Sequence, residues 1–192
     1  MPKLVDHDKY REELLLKSFD LFASRGYANV TMRGIAKELN ISTGALYHYF
    51  PNKQAMLEMM IEVIATREIR QILEDVYKTD KIEERVVIFL DYFKVREAFF
   101  KNVLVLLLDF KKFCGSADNQ KTLDQYAEII FTYIAQGVGM DRDFGSMAVS
   151  FLAGIGYMLL IVPEVVDVDK QMEILQQIVI PYLLATVEPP AS

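Results

Sequence analysis

The sequence predicts an all-α protein. Three observations carry that expectation: apolar residues recur at three- and four-residue spacing through most of the chain, strand-type alternation is almost absent, and short stretches bearing Gly, Pro, Asp or Asn separate the periodic segments. With 192 residues, 52% of them hydrophobic, the chain is long enough for one sizeable core or two small ones. That content also excludes a disordered tail.

The first helix is expected over residues 7–24, where "RGY" at 25–27 supplies a glycine stop. Thr31 suits an N-cap for a short helix over 32–39, with Val30 and Ile35 placed as a hydrophobic staple. Asn40 can take the left-handed geometry that ends it, and Ser42 caps a third helix over 43–49. Ala36 is small where these two cross, so the pair reads as a helix-turn-helix. Pro51 stops the third helix and Asn52 caps a fourth over 53–78. Asp80, followed three residues later by Glu83, has the pattern of a capping box for a helix over 81–113, with a break expected near 98–101. "FCGSAD", "GVGMD" and "VPEVVD" mark turns before helices over 117–138, 144–162 and 169–186.

At about 100° per residue, Ala45, Leu46, Tyr49 and Phe50 fall on one arc of the third helix, and Thr43, Gly44, Tyr47 and His48 on the other. The first arc is expected in the core. A merely solvated arc would carry Lys, Glu or Gln, which are better helix formers than Gly, Thr or His. Glycine permits close approach of another surface, and the Tyr hydroxyl and imidazole suit phosphate oxygens. The second arc therefore reads as built for a DNA groove. Lys53, at a helix N-terminus, is placed to grip a phosphate together with backbone N–H groups.

The net charge of −6 opposes nucleic-acid binding only when taken as one number. Residues 1–55 hold eight Lys/Arg against six Asp/Glu, whereas the remainder hold 13 against 21, so the end bearing the helix-turn-helix is the basic one. The single cysteine, Cys114, makes no internal disulfide, and the start has no signal-peptide core, so a reducing cytoplasm is the expected compartment. His7 and His48 have no zinc-site spacing, and the chain shows no phosphate loop and no nucleophile motif. No catalytic residue, metal or cofactor is therefore expected.

"FASRGYANVTMRGIAKELNISTGALYHYFPNKQAML" resembles the N-terminal domain of TetR-type (tetracycline-repressor-like) transcriptional regulators, in motif order and spacing across residues 10–60. The resemblance implies a three-helix DNA-binding domain over residues 1–52 and a larger helical ligand-binding and dimerisation domain over 53–192. It implies a homodimer that represses from a palindromic double-stranded operator and is released by a small-molecule effector. Carried over by position, Thr31, Tyr47, His48 and Lys53 hold phosphates, while Arg33, Thr43 and Gly44 lie nearest bases. Thr43 stands where members often carry Lys or Arg, which removes a bidentate guanine contact. In the implied mechanism one dimer geometry sets two recognition helices about 34–36 Å apart and a ligand favours another, with the long helix from Lys53 as connector.

Half the aromatic residues, 11 of 22, lie between Tyr77 and Tyr133, a supply that fits an apolar effector pocket or an ordinary core. The pocket candidates are Phe93, Phe100, Leu104, Leu107 and Tyr126, with Tyr133 and Tyr157 as polar anchors. Gly145 to Pro163 carries no charge and approaches a membrane span in length, yet has three Gly and two Ser and no polybasic flank. Ser146, Ser150 and Gly154 recur every four residues and let another helix approach. With Met158, and with Ile174 and Ile178 of the last helix, they form the expected two-fold interface between copies; an intrachain core helix is the other reading. The rival function is a cytosolic helical ligand-binding or scaffold protein that does not use its helix-turn-helix on DNA.

Overall fold

The computed structural model describes residues 6–114 and 117–186, and among these every regular element is helical. The order is α1 (His7–Arg25), a 3-10 turn (Tyr27–Asn29), α2 (Met32–Glu38), α3 (Thr43–Tyr49), α4 (Lys53–Val76), α5 (Ile82–Val95), α6 (Glu97–Phe113), α7 (Ala117–Gly137), α8 (Arg142–Ile161) and α9 (Val168–Thr186).

Residues group into two compact units. Among the described residues, one comprises those up to Thr66 with Val105–Leu123 and the other Arg67–Leu104 with those from Asp124 on, so the divisions fall inside α4, α6 and α7. In the first unit Leu14, Leu15, Phe19 and Phe22 of α1 are buried, as are Met32, Ile35 and Ala36 of α2, Leu46 of α3, and Met56, Leu57 and Met60 of α4. This is one apolar stripe from each helix meeting in a single core. Ser18, buried among them, donates its hydroxyl to the Leu14 carbonyl at 2.7 Å. Gly26 ends α1 at φ +73°, and its N–H reaches the Phe22 carbonyl.

The second unit is centred on Val86, Leu90 and Phe93 of α5, Phe144, Ile155 and Leu159 of α8, and Met172, Leu175, Val179 and Leu183 of α9. Gly145 brings the α8 backbone against α7: a Cβ there would sit 1.9 Å from the Phe131 carbonyl oxygen. At Gly156 a Cβ would lie 2.6 Å from Leu104 Cδ1.

Two expectations for this region are corrected. Asp80 caps nothing: the residue before α5 is Lys81, with no side-chain cap. The Thr79 hydroxyl accepts the Lys81 N–H at 3.2 Å and donates to Glu84 at 2.6 Å, which ties the preceding turn to the start of α5. The break after α5 falls at Arg96, before 98–101, and no Gly or Pro marks it. There the Arg96 guanidinium reaches Glu68 at 2.8 Å and covers the Phe99 ring at 4.4 Å, a tertiary anchor with no local signature.

Candidate nucleic-acid interface

The helix-turn-helix is set by its caps. Thr31 accepts the Gly34 N–H at 3.1 Å, Ser42 accepts the Ala45 N–H at 3.0 Å, and Asn52 accepts the Ala55 N–H at 2.8 Å. Asn40 turns the chain at φ +55°, which allows the Ile41 N–H to reach the Ala36 carbonyl at 2.9 Å. Asn40 and Ser42 thus set the turn from α2 to α3, while Thr31 and Asn52 start α2 and α4.

On α3, Leu46 is fully buried and Phe50 just beyond it likewise, while Tyr49 is half-buried. Ala45, expected on the core arc, is exposed: α3 is short, and only its Leu46 side is covered. Gly44, Tyr47 and His48 are exposed and Thr43 half-buried, so the second arc faces outward as expected. Arg33 and Thr31, at the start of α2, are exposed too. The heavy atom nearest a Cβ built on Gly44 is Ser42 Oγ at 4.0 Å, so packing within the chain does not require glycine there.

Lys53, expected to grip a phosphate, has its ammonium engaged within the chain. Its Nζ donates to the Tyr27 carbonyl at 2.5 Å and the Val30 carbonyl at 2.8 Å, and lies 4.0 Å from the Tyr27 ring centroid. Desolvation pushes it below the ordinary lysine value, against the opposing fields of Cys114 and Asp109. The other side of the same segment is held from α6: the Tyr27 N–H donates to Asp109 at 2.6 Å and the Tyr27 ring stacks on Phe113 at 5.6 Å. Burial raises the Tyr27 phenol well above its usual range, with the Cys114 thiol beside it adding to the effect. Burial raises Cys114 as well, which keeps it a thiol. Asp109 and Tyr27 escape sequence reasoning because 82 residues separate them.

Of the seven pocket candidates, Phe93 and Phe100 are in contact. Phe93 is buried in the core of the second unit, stacked on Phe100 at 5.1 Å, and Leu104 packs at Gly156. Tyr126 is half-buried. Leu107, also half-buried, belongs to the first unit. Tyr133 and Tyr157, expected to be inward anchors, are 42% and 54% exposed. Helical phase is the reason: Ala135 of α7 and Gly156 of α8 take the inward positions, which turns Tyr133 about 200° and Tyr157 about 100° away.

The expected contact stripe of α8 points outward. Ser146 is half-buried, Ser150 and Gly154 are exposed, and a Cβ on Gly154 meets nothing within 4 Å. Met147, Phe151, Met158 and Ile161 of the same helix are exposed, as are Ile174, Ile178 and Tyr182 of α9. The close crossings inside the chain use Gly145 and Gly156, so α8 is a core helix of its unit on the face that buries Phe144, Ile155 and Leu159, while the small-residue stripe lies on its other face. Among the described residues α8 is the one helix long and apolar enough to cross a membrane, and no three His, Cys, Asp or Glu side chains gather as metal ligands.

Comparison with known proteins gives a consistent result. The sequence model described as "Bacterial regulatory proteins, tetR family" matches residues 14–60. The transcriptional regulator PksA of Bacillus subtilis is 28% identical over 88 residues, which is 46% of this chain and 42% of PksA. The repressor KstR2 of Mycolicibacterium smegmatis is 41% identical over 51 residues, 27% of this chain and 25% of KstR2. The matched stretches thus span less than half of these relatives. Among solved structures, a TetR transcription regulator from Haloarcula marismortui aligns with a TM-score of 0.70 at 20% identity, over 94% of this chain and 100% of that one. FadR from Bacillus subtilis, solved with stearoyl-CoA, aligns at 0.69 and 15% identity, over 93% and 100%. The match over residues 14–60 falls on the capped helix-turn-helix, so this segment is similar to the DNA-binding domain of tetR-family regulatory proteins, and the chain as a whole shares the fold of the solved TetR regulator.

Proposed function

We propose that this protein is a ligand-responsive DNA-binding transcriptional repressor, acting as a homodimer on a palindromic operator in the cytoplasm. The observation that carries the reading is the outward arc of α3, where Gly44, Tyr47 and His48 are presented on a helix entered through the turn at Asn40 and the cap at Ser42. In the proposed complex Tyr47, His48 and Thr31 hold phosphates, and Arg33, Thr43 and Gly44 lie nearest bases. Lys53 serves from behind, holding the segment that leads into α2. Selection of bound sequences from a random DNA pool, repeated at two salt concentrations, tests it. An enriched palindrome with salt-sensitive affinity is expected. No enrichment at either salt supports the scaffold reading instead.

The exposed apolar stripes of α8 and α9 support a second copy of the chain as their occupant, in preference to a membrane: the small residues at 150 and 154 suit close helix approach, and no basic flank accompanies α8. The effector is read as small and apolar or aromatic. Structures of this fold have been solved with stearoyl-CoA and, in a regulator from Saccharomonospora viridis, with choline, which supports a ligand-holding role without choosing the ligand.

A further inference from the structure

Both histidines of the chain meet on one surface. His7, the first residue of α1, has Nδ1 2.9 Å from the Tyr49 hydroxyl, and its ring centroid is 6.4 Å from that of His48. Tyr49 lies 6.0 Å from the His7 ring and 5.2 Å from the His48 ring, and Tyr10, one turn further along α1, meets Tyr49 edge-on at 5.5 Å. Four aromatic side chains from α1 and α3 therefore make one cluster at the edge of the outward arc.

The chemistry of the cluster is directional. When His7 is an imidazolium, its Nδ1–H donates to the Tyr49 oxygen and its second N–H is left for an outside acceptor. His7 and His48 are exposed, and α3 carries no Lys, Arg, Asp or Glu. The nearby acids of α1 have partners: Asp6 accepts the Lys9 N–H at 3.1 Å, and Asp8 pairs with Arg11 at 3.0 Å. The acceptor that this surface would meet on DNA is a phosphate oxygen.

We propose that His7 is a further phosphate-binding residue, lying outside the helix-turn-helix and held by Tyr49 beside His48, so that two imidazoles from two helices serve one stretch of DNA backbone. The proposal rests on the DNA-binding reading above. A bound phosphate favours the protonated imidazole, so operator binding takes up protons and tightens as pH falls through the histidine range. Tyr49 acts as the positioning residue, because its hydroxyl sets which way the His7 ring faces.

The test is the affinity of the full chain for its pool-selected DNA between pH 6 and pH 8 at constant ionic strength, with the salt slope measured at both ends. Wild type should bind about tenfold more tightly at pH 6 than at pH 8, the combined effect of a rise of about half a unit on binding in the pKa of each of the two imidazoles. In His7→Gln that ratio should shrink to about threefold as one of the two imidazoles is lost, and the salt slope at pH 6 should fall by about 1. Tyr49→Phe, which keeps the ring and removes the hydroxyl, should shrink the ratio in the same direction. His7→Lys should hold its charge throughout and raise the salt slope at pH 8 by about 1. Circular dichroism of each variant reports whether the fold is kept. His7→Gln with the wild-type ratio and slope, or His7→Lys with an unchanged slope at pH 8, overturns the proposal. Wild type that binds no DNA at any pH would sink the DNA-binding reading and this one together.

Discussion

The Lys53 ammonium lies 4.0 Å from the Tyr27 ring centroid and donates to the Tyr27 carbonyl at 2.5 Å, so the first residue of α4 grips the turn that leads into the helix-turn-helix. The second hydrogen bond, to Val30 at 2.8 Å, fixes the residue just before the Thr31 cap.

Removing that grip should cost stability. Lys53→Ala breaks two charge-assisted hydrogen bonds in a partly solvated site, and a loss of about 1–2 kcal/mol in urea unfolding is expected after allowing for solvent screening. An unchanged urea midpoint would show that water replaces the ammonium without penalty.

Gly44 separates folding from recognition. Alanine there meets no atom of the chain closer than 4.0 Å, so Gly44→Ala should raise stability by up to about 1 kcal/mol through helix propensity. Its affinity for the selected DNA should fall, because a methyl group then stands between α3 and the groove. Equal or tighter DNA binding would argue that Gly44 does not approach a base.

Two glycines of α8 give opposite expectations. Gly145→Ala drives a Cβ into the Phe131 carbonyl and should destabilise by about 3 kcal/mol, whereas Gly154→Ala, with open space around it, should be neutral or mildly stabilising to the folded chain. Thermal melts of the two variants under one set of conditions make the comparison.

Ile178, 64% exposed on α9, tests self-association. Ile178→Glu should weaken the proposed dimer by about 2 kcal/mol or more, as loss of a central apolar contact does, while leaving helix content intact by circular dichroism. Sedimentation that is identical for wild type and variant would place the interface elsewhere.

Glu84 predicts a feature of acid stability. Its hydrogen bonds from Lys81 and Thr79 hold the carboxyl below its ordinary value of 4.5, so they stabilise the folded state above that pH and are lost as pH falls through the lowered folded value. Glu84→Gln should therefore melt below wild type at neutral pH, and the gap should close as the pH is taken below 4.5. A constant gap would mean that the carboxylate's charge is not what matters.

Much of this was legible because the relevant signals are local. Thr31, Asn40, Ser42 and Asn52 each act on a backbone group within a few residues, so their side-chain chemistry announces the helix-turn-helix in the sequence itself. The outward face of α3 followed from periodicity in the same way. The misplacements have a different origin. Helical phase decides whether Tyr133 or Ala135 turns inward, and only contact with other helices sets it. The break at Arg96 depends on Glu68, and the setting of Lys53 on the turn at Tyr27, partners 28 and 26 residues away. Thr79 and not Asp80 bridges the Lys81 N–H to Glu84, because its hydroxyl both accepts and donates, which a carboxylate cannot do.

The Tyr27 turn also bears on how the protein is made. Its amide is held by Asp109 and its ring by Phe113, so the compact unit containing the helix-turn-helix draws on residues 105–123 as well as on the first 66. A ribosome adding about 5–20 residues per second will have released α1 to α3 some seconds before α6 exists to clasp them. During that interval the three recognition elements are available to chaperones and proteases without one wall of their support. Nascent chains arrested short of residue 109 should accordingly be cut near Tyr27 more readily than chains arrested beyond residue 123.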